Sequence, residues 1–139
     1  MPARPTLTPA FLIALRSAIT VQTVVTFAAA IAAGLLLSIP GGKALHSATS
    51  YTLFVVAVVH LVVALLAWRP AGGPGGPPVS ALVFLLGVSG QVALGLAHLK
   101  AFHVPLGVLL FGFTVLQCAW VWTYRSAPTA TATATARTA

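Results

Sequence analysis

The residues with chemical potential in this chain are few, and they recur. Lys43-Ala44-Leu45-His46 returns 57 residues later as Lys100-Ala101-Phe102-His103, and Leu53-Phe54 returns as Leu110-Phe111. The same offset sets Leu37 on Leu94 and Val58 on Val115, the pattern of a duplicated helical hairpin with a pseudo-twofold axis along the membrane normal. Such an axis puts His46 and His103 at one depth, facing each other across a four-helix bundle. Two opposed imidazoles are what a six-coordinate b-type haem requires as axial ligands. Four residues on from each histidine, on the same helical face, stand Ser50 and Gly107, small enough for a flat macrocycle to approach. Lys43 and Lys100, three residues before, can snorkel outward to the two propionates. The plainer alternative is that the histidines are interfacial and the lysines anchor lipid headgroups. The doubled spacing favours the haem reading.

Other polar residues suggest a second site. His60 follows His46 by 14 residues, about 21 Å along a helix and nearly on the same face. The 57-residue offset puts Gln117, not a histidine, opposite it, so a second bis-histidine haem is not expected. His60, Gln117 and Gln22 are expected to form interhelical hydrogen bonds, the alternative being a quinone headgroup pocket or a proton relay at that depth. His98 with His46 and His103 would make a three-histidine copper or zinc site, which ranks below haem. Gln91 is expected to hydrogen-bond a bound group or another helix. Cys118, the single cysteine, reads as a packing residue and excludes an internal disulfide.

The elements that must carry these residues follow from composition. Of 139 residues, 59% are hydrophobic, seven are Lys or Arg and none is Asp or Glu, giving a mean hydropathy of +1.04. An ordinary soluble domain carries about 25% charged residues, so this is a polytopic all-α membrane protein. Without carboxylates there is no acidic general acid, nucleophile or Mg²⁺ ligand. The net charge of +7 is spread singly between apolar runs, which argues for topology signals and against nucleic acid. Helices are expected at about 17–39 (with an earlier start near Pro9 the other option), 45–68, 79–98 and 102–124, after an N-terminal segment 1–16. Ile39-Pro40-Gly41-Gly42 ends the first, and the Pro- and Gly-rich run 69–78 ends the second. The apolar run before Arg16 is too short for a signal-peptide core, so the first helix is expected to be retained. The low-complexity tail 125–139 reads as disordered. Arg4, Arg16, Arg69, Arg125 and Arg137 fall on one side, Lys43 and Lys100 on the other, which places both termini in the cytoplasm of a bacterial cell. Trp68, Trp120, Trp122 and Tyr124 then form an interfacial belt on that side.

The four-helix layout, the histidine opening the second helix (LHSATSYTLF) and the stretch QVALGLAHLKAFHVPLGVLLF resemble one four-helix half of the haem A synthase family. Residues 17 to 124 are covered, and single four-helix units of uncharacterised bacterial families look similar too. The resemblance implies haem ligation by His46 and His103. The catalytic half of that family carries a glutamate three residues before the second-helix histidine, where this chain has Lys43, and paired loop cysteines found in some members are missing. The resemblance therefore favours binding or electron transfer over haem hydroxylation.

The expected function is one-electron transfer or haem handling in the respiratory membrane, with lipid, a redox partner or respiratory complex, and a homodimer as candidate partners. One alternative is a cofactor-free structural or assembly subunit. A second is a haem-modifying or quinone-linked oxidoreductase.

Overall fold

A computed structural model describes residues 7–124. It consists of four helices: α1 (Pro9–Leu35), α2 (Gly42–Trp68), α3 (Gly76–Leu96) and α4 (Lys100–Val121). Each is long and apolar enough to cross a membrane, at 27, 27, 21 and 22 residues. Short connections make neighbours antiparallel. α1 packs on α2 and α4, and α3 packs on the same two, so α2 and α4 lie diagonally across the bundle.

Large aliphatic side chains face outward, among them Val24, Ile31, Val55, Leu86, Leu109 and Leu116. The interior combines large apolar side chains such as Leu15, Ile19, Leu53 and Phe84 with small and polar ones: Ala57, Ala64, Ala67 and Ala81 beside Gln22, Thr26, His60, Thr114 and Gln117. The small and polar members suit a lipid solvent. Acyl chains are as apolar as leucine, so helices associate through close packing of small residues and through interhelical hydrogen bonds. The four spans and their apolar outer faces make this a multi-pass membrane protein in contact with the bilayer.

The helix ends differ from the expected ones. α1 starts at Pro9, not 17, because a proline in the first turn gives up an N–H that has no intrahelical partner. Its opening turns are held by burial: Leu7, Leu12, Leu15 and Ile19 form a cluster with Ala64, Ala67, Ala81 and Val121. Arg16 thus lies inside α1, and residues 9–16 belong to the bundle. At the other end α1 stops at Leu35 and residues 36–41 turn, with Gly41 in the left-handed region at φ 85°. α2 begins at Gly42, so Lys43 occupies its first turn and not the loop. α3 starts at Gly76, with Pro77 and Pro78 in its first turn, and ends at Leu96; α4 starts at Lys100 and ends at Val121. Arg4, Arg125, Arg137 and the tail 125–139 lie outside the described residues.

Burial repeats between diagonal helices. The buried Leu53, Ala57, His60 and Ala64 of α2 correspond, 57 residues on, to the buried Leu110, Thr114, Gln117 and Val121 of α4. Between α1 and α3 the correspondence runs at 62: Leu15, Ile19, Gln22 and Thr26 match Pro77, Ala81, Phe84 and Val88. Leu37 and Leu94 are therefore not equivalent, since Leu37 lies in the turn after α1, 85% exposed, whereas Leu94 is half-buried inside α3.

Gly42 seats the α1–α2 turn, because a Cβ there would strike the Leu35 carbonyl oxygen and come within 2.7 Å of the Leu36 Cα. Gly34 has open space around its Cβ direction. Gly42→Ala is expected to lower the melting temperature in detergent, since backbone atoms must shift. Gly34→Ala should leave it unchanged or raise it, helix propensity adding up to about 1 kcal/mol of stability.

Candidate functional site

His46 sits in the first turns of α2 and His103 in the first turn of α4, at the end of the bundle formed by the α1–α2 and α3–α4 turns. Although α2 and α4 are diagonal, the two imidazoles meet, with ring centroids 6.1 Å apart and planes at 77°. His103 is clamped by α3. Its Nδ1 donates to the Gln91 carbonyl oxygen at 3.0 Å, and the Gln91 side-chain Nε2 donates back to the His103 carbonyl at 2.8 Å. A carbonyl can only accept, so the ring proton resides on Nδ1 and the Nε2 lone pair is left over. Gly95 makes the room: a Cβ there would press on His103 Cε1 at 3.2 Å. On the opposite side the buried Nδ1 of His46 has no hydrogen-bond partner among the described residues.

The residues around the pair depart from expectation in part. Ser50 is half-buried, but its hydroxyl donates to the His46 carbonyl at 2.7 Å and so is tied to its own helix. Gly107 does not present a bare face to the bundle interior, because the Gln91 amide nitrogen lies 2.8 Å from where its Cβ would be. Lys43 and Lys100 are exposed at this same end. His98 is exposed in the turn after α3, with a left-handed φ of 58°. Among the described residues no group of three or more His, Cys, Asp or Glu side chains comes together, so the three-histidine copper or zinc site does not form. Packing thins out here: within 43–52, 89–96 and 100–109 no residue is buried.

A second polar cluster lies deeper, across an apolar layer of Leu53, Ala57, Phe84, Val88 and Leu110. Gln22 is its branch point. Its Oε1 accepts from His60 Nδ1 at 2.8 Å, while its Nε2 donates to Thr114 Oγ1 and to Gln117 Oε1, both at 3.0 Å. Three helices are joined by one amide. The amide oxygen fixes the proton of His60 on Nδ1, which leaves His60 Nε2 buried and without a partner among the described residues, as is Gln117 Nε2. The expected trio of His60, Gln117 and Gln22 is thus together, and threonines join it: Thr23 Oγ1 lies 3.1 Å from Thr114 Oγ1, and Thr26 Oγ1 donates to the Gln22 carbonyl. The threonines were legible in the sequence, since Thr26 and Thr114 stand four and three residues from Gln22 and Gln117 on the same faces. Cys118 is half-buried and meets Thr20 Oγ1 at 3.9 Å, a packing contact.

At the opposite end of the bundle Arg16 closes the last turn of α4. It donates to the Tyr124 carbonyl at 2.8 Å and, more loosely, to those of Val121 and Trp122 at 3.5 Å, where the helix leaves carbonyls without intrahelical partners. Its guanidinium also lies 4.7 Å from the centre of the Trp122 ring.

No protein-family model, curated protein or solved structure matches the chain.

Gln22→Leu would orphan His60 Nδ1 and Gln117 Oε1 in the bundle interior. The expected loss is about 1–3 kcal/mol of bundle stability, seen as a lower unfolding midpoint in mixed micelles. Thr20→Val, which removes only the long sulfur contact, should cost under about 0.5 kcal/mol.

Proposed function

We propose that this protein binds one b-type haem at the end of the bundle that holds His46 and His103, and that it serves one-electron transfer or haem handling in the respiratory membrane. The observation that carries the reading is the imidazole pair. A metal–histidine bond of about 2.0 Å on each side, plus about 1.1 Å from nitrogen to ring centre, separates two axial imidazole centroids by roughly 6.2 Å. The 6.1 Å found here fits one metal ion between the rings.

The chain's own residues prepare that pair. Metal-binding histidines usually donate their other ring nitrogen to a carbonyl, which fixes tautomer and orientation. His103 does this through Gln91, leaving Nε2 as the ligand atom. His46 brings a buried nitrogen that no group among the described residues satisfies. Lys43 and Lys100, at the same end, would take the propionates, with no side-chain carboxylate anywhere in the chain to compete for them. Leu53, Val88 and Leu110 form the apolar floor that keeps water from the deeper cluster. Gly107, covered by Gln91, offers no bare face to a macrocycle, and above that floor no residue of α2, α3 or α4 is fully buried apart from Gly42 at the start of α2. A haem held by these two imidazoles would supply outer-sphere electron transfer.

The equal spacing of buried residues on α2 and α4 supports descent from a duplicated hairpin. The resemblance to one half of haem A synthase rests on the same histidines. Lys43 at the position of that family's glutamate favours binding over hydroxylation. The charge asymmetry favours cytoplasmic termini. A second reading, a cofactor-free assembly subunit, is favoured by one observation: Gln91 already fills the space over Gly107.

The test is a reduced-minus-oxidised absorption spectrum of protein produced with ample haem. Wild type should show sharp low-spin b-type bands. His46→Ala and His103→Ala should each abolish them or convert them to high spin. A colourless wild type that takes up no added haem would leave the assembly subunit as the better account.

A further inference from the structure

The Arg16 end of the bundle carries a different feature. α1 projects beyond the end of α4, since Arg16 lies seven residues in from Pro9, about 10 Å along the axis, and contacts the last α4 carbonyls. Beside that overlap runs an open groove of about 540 Å³, lined by Ile13, Arg16, Ser17, Thr20, Val21 and Trp122. Its composition is graded. Ile13, Ser17, Thr20 and Val21 follow one face of α1, Arg16 lies at the level of the α4 end, and Trp122 forms the opposite wall.

Arg16 is the source of its charge. The three carbonyls it reaches engage Nε and Nη2, leaving both Nη1 hydrogens without a hydrogen bond among the described residues. Carbonyl dipoles lessen its charge without cancelling it, and the chain has no Asp or Glu side chain to do so. No acidic side chain lies beside it among the described residues, so an external anion can serve as its counter-ion. A half-buried guanidinium with a free donor edge, two hydroxyls and an indole at the interfacial level, continuing into the apolar Val21, matches a phosphate headgroup joined to an acyl chain.

We propose that this groove is a binding site for one anionic phospholipid. Its phosphate sits on the free edge of Arg16 with Ser17 and Thr20 in reach, and its acyl chain lies along α1 past Val21. The site is independent of the histidine pair, which lies at the opposite end of the bundle. A surface cation beside anionic lipid is worth about fivefold in binding.

The experiment is native mass spectrometry of the full chain released from detergent, titrated with phosphatidylglycerol or phosphatidylcholine of matched acyl chains. Wild type should retain one phosphatidylglycerol about fivefold more readily than phosphatidylcholine. Arg16→Gln should remove that preference. Because Arg16 also closes α4, Thr20→Leu supplies a second probe that fills the groove and leaves the arginine in place; it should lower retention of the first lipid. Arg69→Gln, whose guanidinium lies over Trp68 away from the groove, should change nothing. Equal retention of the two lipids by wild type, or a preference that survives both Arg16→Gln and Thr20→Leu, would overturn the proposal, and uptake of inorganic phosphate alone to the same extent would show an ion site without a lipid.

Discussion

The bundle depends on one constraint: a polar group inside it receives no help from the solvent. Lipid tails offer neither a hydrogen-bond partner nor a hydrophobic reward for bringing apolar helices together. Gln22 answers both demands at once, because its single amide accepts from α2 and donates twice to α4. Ala57 and Ala64, one turn before and after His60, let α2 lie close enough to α1 for His60 to reach the Gln22 amide. The remaining helix contact of this kind, α3 to α4, is made by the reciprocal pair of bonds between Gln91 and His103. Every neighbouring helix pair except α2–α3 thus has a side-chain hydrogen bond among the described residues, and α2–α3 packs through Leu53, Ala57, Phe84 and Val88.

The two polar levels have opposite characters. The deep one is nearly closed: donors and acceptors meet one another, and two nitrogens remain over, His60 Nε2 and Gln117 Nε2. The level at the turns is open. Its histidines touch each other at a metal-compatible separation, with few buried side chains around them. An apolar layer about one helical turn thick, from Leu53 to Ala57 on α2 and from Phe84 to Val88 on α3, lies between them. That division makes the deep cluster a structural joint and leaves the histidine pair as the level to which haem binding is proposed.

Much of this was legible in the residues. Four apolar runs between single charges fix the number of spans, and the twice-written KA[LF]H places the histidines on matched turns. The start of α1 was not, because Arg16 looks like a boundary to any reading that avoids charge in a membrane helix. Only the overlap with the end of α4 shows how its guanidinium is satisfied. Gly107 likewise resembles a bare platform until α3 is in place and Gln91 is seen to cover it. The offset of α1 against α3 was hidden for a similar reason: the two hairpin turns differ in length, so one shift cannot align both pairs of helices.

The claim that one metal centre sits between His46 and His103 is tested most directly by electron paramagnetic resonance of the oxidised, haem-loaded protein. Imidazole planes near perpendicular, as the 77° here, leave the ferric orbitals nearly degenerate, so the account expects a single low-spin signal of strong anisotropy. A high-spin axial signal, or the ordinary rhombic low-spin signal of parallel imidazoles, would contradict ligation by this pair in this geometry.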